Sequence, residues 1–109
     1  MTRWFRSHWA EAETWFYFEV EENGDLSRHV ELHGPLEQPV AAASLVEWRA
    51  TQRSGSLRGY ESAFGAIAEV FVRPSNAGAA EPLTADAFES VWRSARAARE
   101  AHARMHRVR

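Results

Sequence analysis

His29, Glu31 and His33 occupy alternate positions of one short segment. On a β-strand, alternate side chains share a face about 7 Å apart, near enough for two imidazoles and a carboxylate to share one cation. With His8 supplied from a neighbouring strand, the set has the ligand types that zinc or nickel accepts. Without a metal, the same residues form an ordinary polar sheet face, with cross-strand pairs such as Tyr17 with His29 and Trp15 with Glu31. His102 and His106 also share a helix face, but Ala103 stands where a zinc-protease helix carries its glutamate. Glycine-rich phosphate loops and nucleophile-elbow motifs are absent from the sequence, and Ser54-Gly55-Ser56 has no activating base beside it. No residue is assigned a catalytic role, and the expectation leans away from an enzyme.

Charge supplies the other candidate chemistry. Residues 1–89 hold 14 acids against 7 arginines, a balance of −7, whereas residues 90–109 hold 6 arginines and the single acid Glu100, a balance of +5. The basic segment offers Arg93, Arg96, Arg104 and Arg107 to phosphates. No nucleic-acid motif accompanies them, so nucleic-acid association is the weaker expectation. The acidic body offers the same segment a partner, within the chain or in a second copy, and Arg96, Glu100 and Arg104 have helical spacing for mutual pairing. Arg28 stands among apolar neighbours, where a guanidinium needs a carboxylate or several carbonyls. Glu69 and Glu47 are its candidate partners.

These side chains must be positioned by a hairpin. Residues 14–20 and 26–33 are rich in aromatic and β-branched types around Asn23-Gly24, a strong turn signal. A two-residue loop pairs Phe18 with His29 and Phe16 with Glu31, setting apolar side chains beside polar ones. A three-residue loop with Gly24 left-handed pairs Val20 with Leu26, Phe18 with Arg28 and Phe16 with Val30, which matches the faces better. The second register predicts a core face of Phe16, Phe18, Val20, Leu26, Val30 and Leu32 with Arg28 among them. It turns Trp15, Tyr17, Glu19, His29, Glu31 and His33 outward. Trp15, Tyr17, Glu19 and Glu31 then form an acidic, aromatic surface, either covered by another element or presented to a partner.

Around the hairpin, residues 3–9 read as a first strand with Phe5 and Trp9 on one face and Trp4, Arg6 and His8 on the other. A short strand is expected at 39–42. Ser44 and Glu47 form a capping box for a short helix, a second helix spans 57–64 and stops at Gly65, and 67–72 reads as a strand followed by a loop over 73–82. Thr84 caps a last helix whose inner stripe is Phe88, Val91, Trp92 and Ala95. Beyond Ala95 the stripe weakens, so residues 98–109 are expected to project or fray.

At 109 residues the chain fits one domain able to bury about two-thirds of its unfolded surface. With no cysteine it has neither disulfides nor thiolate metal sites. No apolar run approaches the roughly 20 residues of a membrane helix, and the start does not read as a signal peptide. A cytoplasmic protein without membrane association is expected. All 13 basic residues other than histidine are arginine, as in proteins of high-GC genomes. The run Trp15-Phe16-Tyr17-Phe18-Glu19-Val20, the run from Arg28 to Pro35 and the run from Ala41 to Trp48 resemble short hypothetical proteins of high-GC actinobacteria. The resemblance covers about half of the chain and implies a small α+β domain with no known activity.

The combined reading is a single α+β domain over residues 1–109. An antiparallel sheet of four to five strands carries two short helices and a long C-terminal helix on one face. The leading functional expectation is a non-catalytic protein-interaction module, of inhibitor or immunity type, with an unidentified protein partner. The alternatives are a small-ligand or metal site at His29, Glu31, His33 and His8, and nucleic-acid association through the arginine-rich helix. A homodimer is compatible with each.

Overall fold

The computed structural model describes residues 1–65 and 80–107, the last two by backbone alone. Five strands form one antiparallel sheet: β1 (Arg3–Trp9), β2 (Thr14–Val20), β3 (Leu26–His33), β4 (Gln38–Ser44) and β5 (Glu81–Leu83), in spatial order β4-β3-β2-β1-β5. Three helices complete the fold: α1 (Leu45–Ser54), α2 (Leu57–Phe64) and α3 (Ala85–Arg107). The α+β architecture matches the expectation. The expected strand at 67–72 lies outside the described residues. β5 replaces the end of the expected loop, with Leu83 paired to Trp4 and Glu81 to Arg6.

The hairpin obeys both candidate registers, one on each side of a bulge. Gly24 is left-handed at φ 90° and Val20 faces Leu26, as the three-residue loop requires. Ser27 is then inserted as an extra residue, its hydroxyl 3.1 Å from the Glu19 carbonyl and 2.8 Å from the Glu19 carboxylate. Beyond the bulge Glu19 faces Arg28, Tyr17 faces Val30, Phe18 faces His29 and Phe16 faces Glu31. One inserted residue moves every later side chain of β3 to the other face. The gain is visible at once: Arg28 lands opposite a carboxylate, and Val30 and Leu32 land opposite Tyr17 and Trp15.

This bulge corrects the expected core. Tyr17, Val30, Leu32 and Ala42 face α3, where Phe88 and Ala95 are buried against them and Trp4, Trp15, Leu83, Val91 and Trp92 pack around. The expected stripe of α3 is therefore the one used. Its start is capped as expected, with the Thr84 hydroxyl accepting from the Ala87 amide at 3.1 Å. Phe5, Phe16 and Phe18 lie on the opposite face with His29 and Glu31. The helix is continuous to Arg107, and Arg99 fastens it to α2 by donating to the Ala63 and Ser62 carbonyls at 2.7 and 3.1 Å.

Among the described residues, the outer strands β4 and β5 are both poor templates for a further strand. On β4, the Ala42 carbonyl accepts from Arg96 at 3.1 Å and the Ser44 amide donates to the Tyr60 hydroxyl at 2.9 Å. Those are the backbone groups a new strand would use. Gly65 ends α2 so close to this edge that a Cβ there would meet the Ala41 Cβ at 2.7 Å. β5 is three residues long and carries Pro82, which has no amide to donate.

Candidate functional site

The expected acidic, aromatic surface is not a surface. Tyr17 is 7% exposed and Glu19 8%, both beneath α3. Trp15 is half-buried, with the His8 ring 4.6 Å away and the Arg6 guanidinium carbon 4.7 Å from its own ring. Glu31 lies on the other side of the sheet. The four residues Trp15, Tyr17, Glu19 and Glu31 thus share no face, because the bulge separates Glu31 from the rest and the amphipathic helix takes the face that remains.

Glu19 instead belongs to a partly buried ion network. Arg28 donates to it from Nε at 2.8 Å and from Nη2 at 2.6 Å, and Nη2 also reaches Glu89. Trp4 donates its indole N–H to the same carboxylate at 2.9 Å. The Arg28 guanidinium carbon lies 5.0 Å from the Phe88 ring centre and 5.1 Å from that of Trp92, a cation–π position. Hydrogen bonds from Arg28, joined by those from Trp4 and Ser27, outweigh burial and hold the Glu19 carboxyl at about 2. Arg28 is a structural charge, as expected of its setting, but its partners are Glu19 and Glu89. Glu69 is outside the described residues.

Glu47 serves a second network. Its amide donates to Ser44 Oγ at 3.2 Å, the expected cap. The side chain does not return to the Ser44 amide; Tyr60 bridges that gap, accepting from the amide and donating to Glu47 Oε1 at 2.7 Å. Arg96 holds the same carboxylate at 2.6 and 3.1 Å. Burial pushes the Glu47 carboxyl up, and Arg96 and Tyr60 bring it below its ordinary value. Arg96 therefore leaves the candidate phosphate set. Of the others, Arg93 and Arg104 are exposed, and the Arg107 side chain is outside the described ones.

His29, Glu31 and His33 do share a face. His33 Nε2 is 2.7 Å from Glu31 Oε2, while His29 Nε2 stays 4.0 Å from Oε1, beyond hydrogen-bond reach. The neighbouring His29 ring, then His33, draw the Glu31 carboxyl below its ordinary value against the opposing effect of burial. His29 is 1% exposed, and neither ring nitrogen has a hydrogen-bond partner among the described residues. His8 does not join this row: it faces Trp15, hence the opposite side. Among the described residues no group of three or more His, Asp or Glu is arranged to hold a metal ion.

The strongest accessible feature was not singled out in the sequence. The β1–β2 turn and the β3–β4 turn lie side by side at one end of the sheet, joined by the Gly34 amide donating to the Glu13 carbonyl at 2.8 Å. Trp9 is 54% exposed there and Leu36 81%. Glu11, Glu13 and Glu37 are exposed around them, with no ion pair to any described residue. Glu13 and Glu37 hold φ of 46° and 49°, the only left-handed residues other than glycine among those described. An L-residue pays about 1–2 kcal/mol for that conformation, which glycine adopts freely. Aromatic and aliphatic anchors ringed by unpaired charge can dock a protein surface by burial and by complementary potential.

Comparison with known proteins adds no constraint: no protein-family model matches the chain, and no curated protein or solved structure matches it.

Proposed function

We propose that the protein is a non-catalytic interaction module that docks through this end of the sheet onto a basic protein surface. The carrying observation is Trp9 and Leu36 standing exposed among Glu11, Glu13 and Glu37, two of which occupy strained backbone. Backbone strain kept where a glycine would relieve it is a feature of binding and switch sites. Among the described residues, the sheet edges and the hairpin's aromatic face are the other docking candidates, and both are occupied or disfavoured. Strand addition is blocked at β4 by Arg96 and Tyr60 and disfavoured at β5 by Pro82, and the aromatic face of the hairpin is occupied by α3. The balance of −7 over residues 1–89 selects a partner of opposite sign and speeds its encounter. Among the described residues no helix is long and apolar enough to cross a membrane.

The test compares capture by the tagged wild-type chain with capture by a Trp9→Ala, Leu36→Ala variant whose thermal melt matches it. The expected result is one protein presenting a basic surface, held by the wild type, released by added salt and lost by the variant. Retention of that same protein by the folded variant would contradict docking through the sheet end.

A further inference from the structure

A basic surface that fits the sheet end is present on the chain itself. Residues 90–109 carry the +5 balance, yet α3 uses Arg96 and Arg99 internally, on Glu47, Ala42, Ala63 and Ser62. Arg93 and Arg104 remain exposed on the outer side of the helix, with no ion pair to any described residue. At i, i+4, i+7 and i+11, Arg93, Ala97, Glu100 and Arg104 form one outward stripe. Small Ala97 and Ala98 are exposed between the two arginines, and Met105 beside them is 76% exposed. Two surfaces are thus left open on one molecule. One is acidic with a tryptophan and a leucine; the other is basic with alanines and a methionine.

We infer that a second copy of this chain occupies the sheet end, seating the Arg93–Met105 side of its α3 against Trp9 and Leu36. The inference rests on the docking role proposed for that end and names its occupant. Glu11, Glu13 and Glu37 meet Arg93 and Arg104, so carboxylates with no ion pair among the described residues gain cations from the next copy. The alanines allow close approach of the indole, and methionine sulfur packs well against an aromatic ring. Because the two patches differ, the contact is heterologous. Each copy keeps one open patch of each kind, and association continues until a ring closes or the chain of copies ends.

Two variants separate the patches. Trp9→Ala with Leu36→Ala removes the anchors of the sheet end; Arg104→Glu with Met105→Glu reverses the helix patch. Each alters exposed side chains, and matched melts confirm folding. Sedimentation equilibrium from micromolar to millimolar protein should show wild-type mass rising with concentration and falling with added salt. Each variant alone should associate at least about tenfold more weakly, since complementary charge and anchor are both lost. Mixed in equal amounts, the two should form a dimer and nothing larger, because one intact patch of each kind remains. A wild type that stays monomeric throughout, or a mixture no heavier than its components, overturns the second copy as occupant. If the Trp9 and Leu36 variant still loses a captured protein, docking at the sheet end survives that result; if it keeps both self-association and capture, docking there fails as well.

Discussion

Replacing Arg28 with methionine keeps an unbranched side chain of similar reach and removes the guanidinium that binds Glu19 and Glu89 and lies over Phe88 and Trp92. Glu19 is then left 8% exposed with Trp4 and Ser27 as its remaining donors. Its carboxyl falls from 4.5 to about 2 in the folded protein. At about 1.4 kcal/mol per unit, that difference corresponds to about 3 kcal/mol of stability at neutral pH, in line with the ~3–5 kcal/mol for stripping one partner from a buried pair. Because the folded value is depressed, the wild type should have this contribution in full above 4.5 and lose it as pH falls toward 2. In Arg28→Met the dominant hydrogen bond is gone and burial pushes the Glu19 carboxyl up. With Trp4 and Ser27 still donating against burial, the carboxyl returns toward its ordinary value and the variant's stability depends less on pH over this range. Urea denaturation across that range should therefore give a gap of about 3 kcal/mol at neutral pH that narrows on acidification. Adding Glu19→Gln to the variant should recover part of the loss, since no buried charge is stranded. A gap below about 1 kcal/mol, the worth of an exposed pair, or a gap independent of pH would refute the assignment.

Three further outcomes follow from single contacts. Tyr60→Phe should cost about 1–2 kcal/mol in denaturant and speed hydrogen exchange at the Ser44 amide, which loses the hydroxyl that accepts from it; unchanged exchange would show that the hydroxyl does not close the edge. His29→Leu should change stability by less than about 1 kcal/mol, because losing the ring's hold on Glu31 offsets removal of two buried nitrogens that have no hydrogen-bond partner among the described residues. A clear loss of stability would mean that the ring is hydrogen-bonded in solution. Glu13→Gly and Glu37→Gly should each stabilise the fold by about 0.5–1 kcal/mol, relief of left-handed strain being partly offset by the freer unfolded chain. The same changes should weaken partner binding, a trade that a purely structural turn would not make.

Much of the scaffold was legible because its signals are local. The strand 3–9 and the helix 57–64 appear with the expected bounds, and Ser44 and Thr84 cap as their types suggest. The bulge was not legible. It depends on where Arg28 finds a carboxylate and where α3 lands, so neither simple register was right along the whole hairpin. That single insertion reassigned the core face, buried the expected docking residues and parted His8 from the histidine row. β5 escaped notice because three residues with a proline give no alternation to read, and β4 runs further than 39–42 because its alanines are neutral in propensity yet fully packed. The sheet end was missed because exposure of Trp9 follows from the tertiary fold. In the sequence it shares one strand face with Phe5, and nothing there marks it as exposed.

The most direct test of docking through the sheet end is a photo-cross-linking side chain placed at Leu36, with the same group at Val46 as control. Both positions are open, at 81% and 79% exposure, and only Leu36 lies among the unpaired glutamates. The account predicts one discrete adduct from position 36, suppressed by salt and by Trp9→Ala, and none of that mass from position 46. Equal labelling from both positions, or no adduct from position 36, would contradict it.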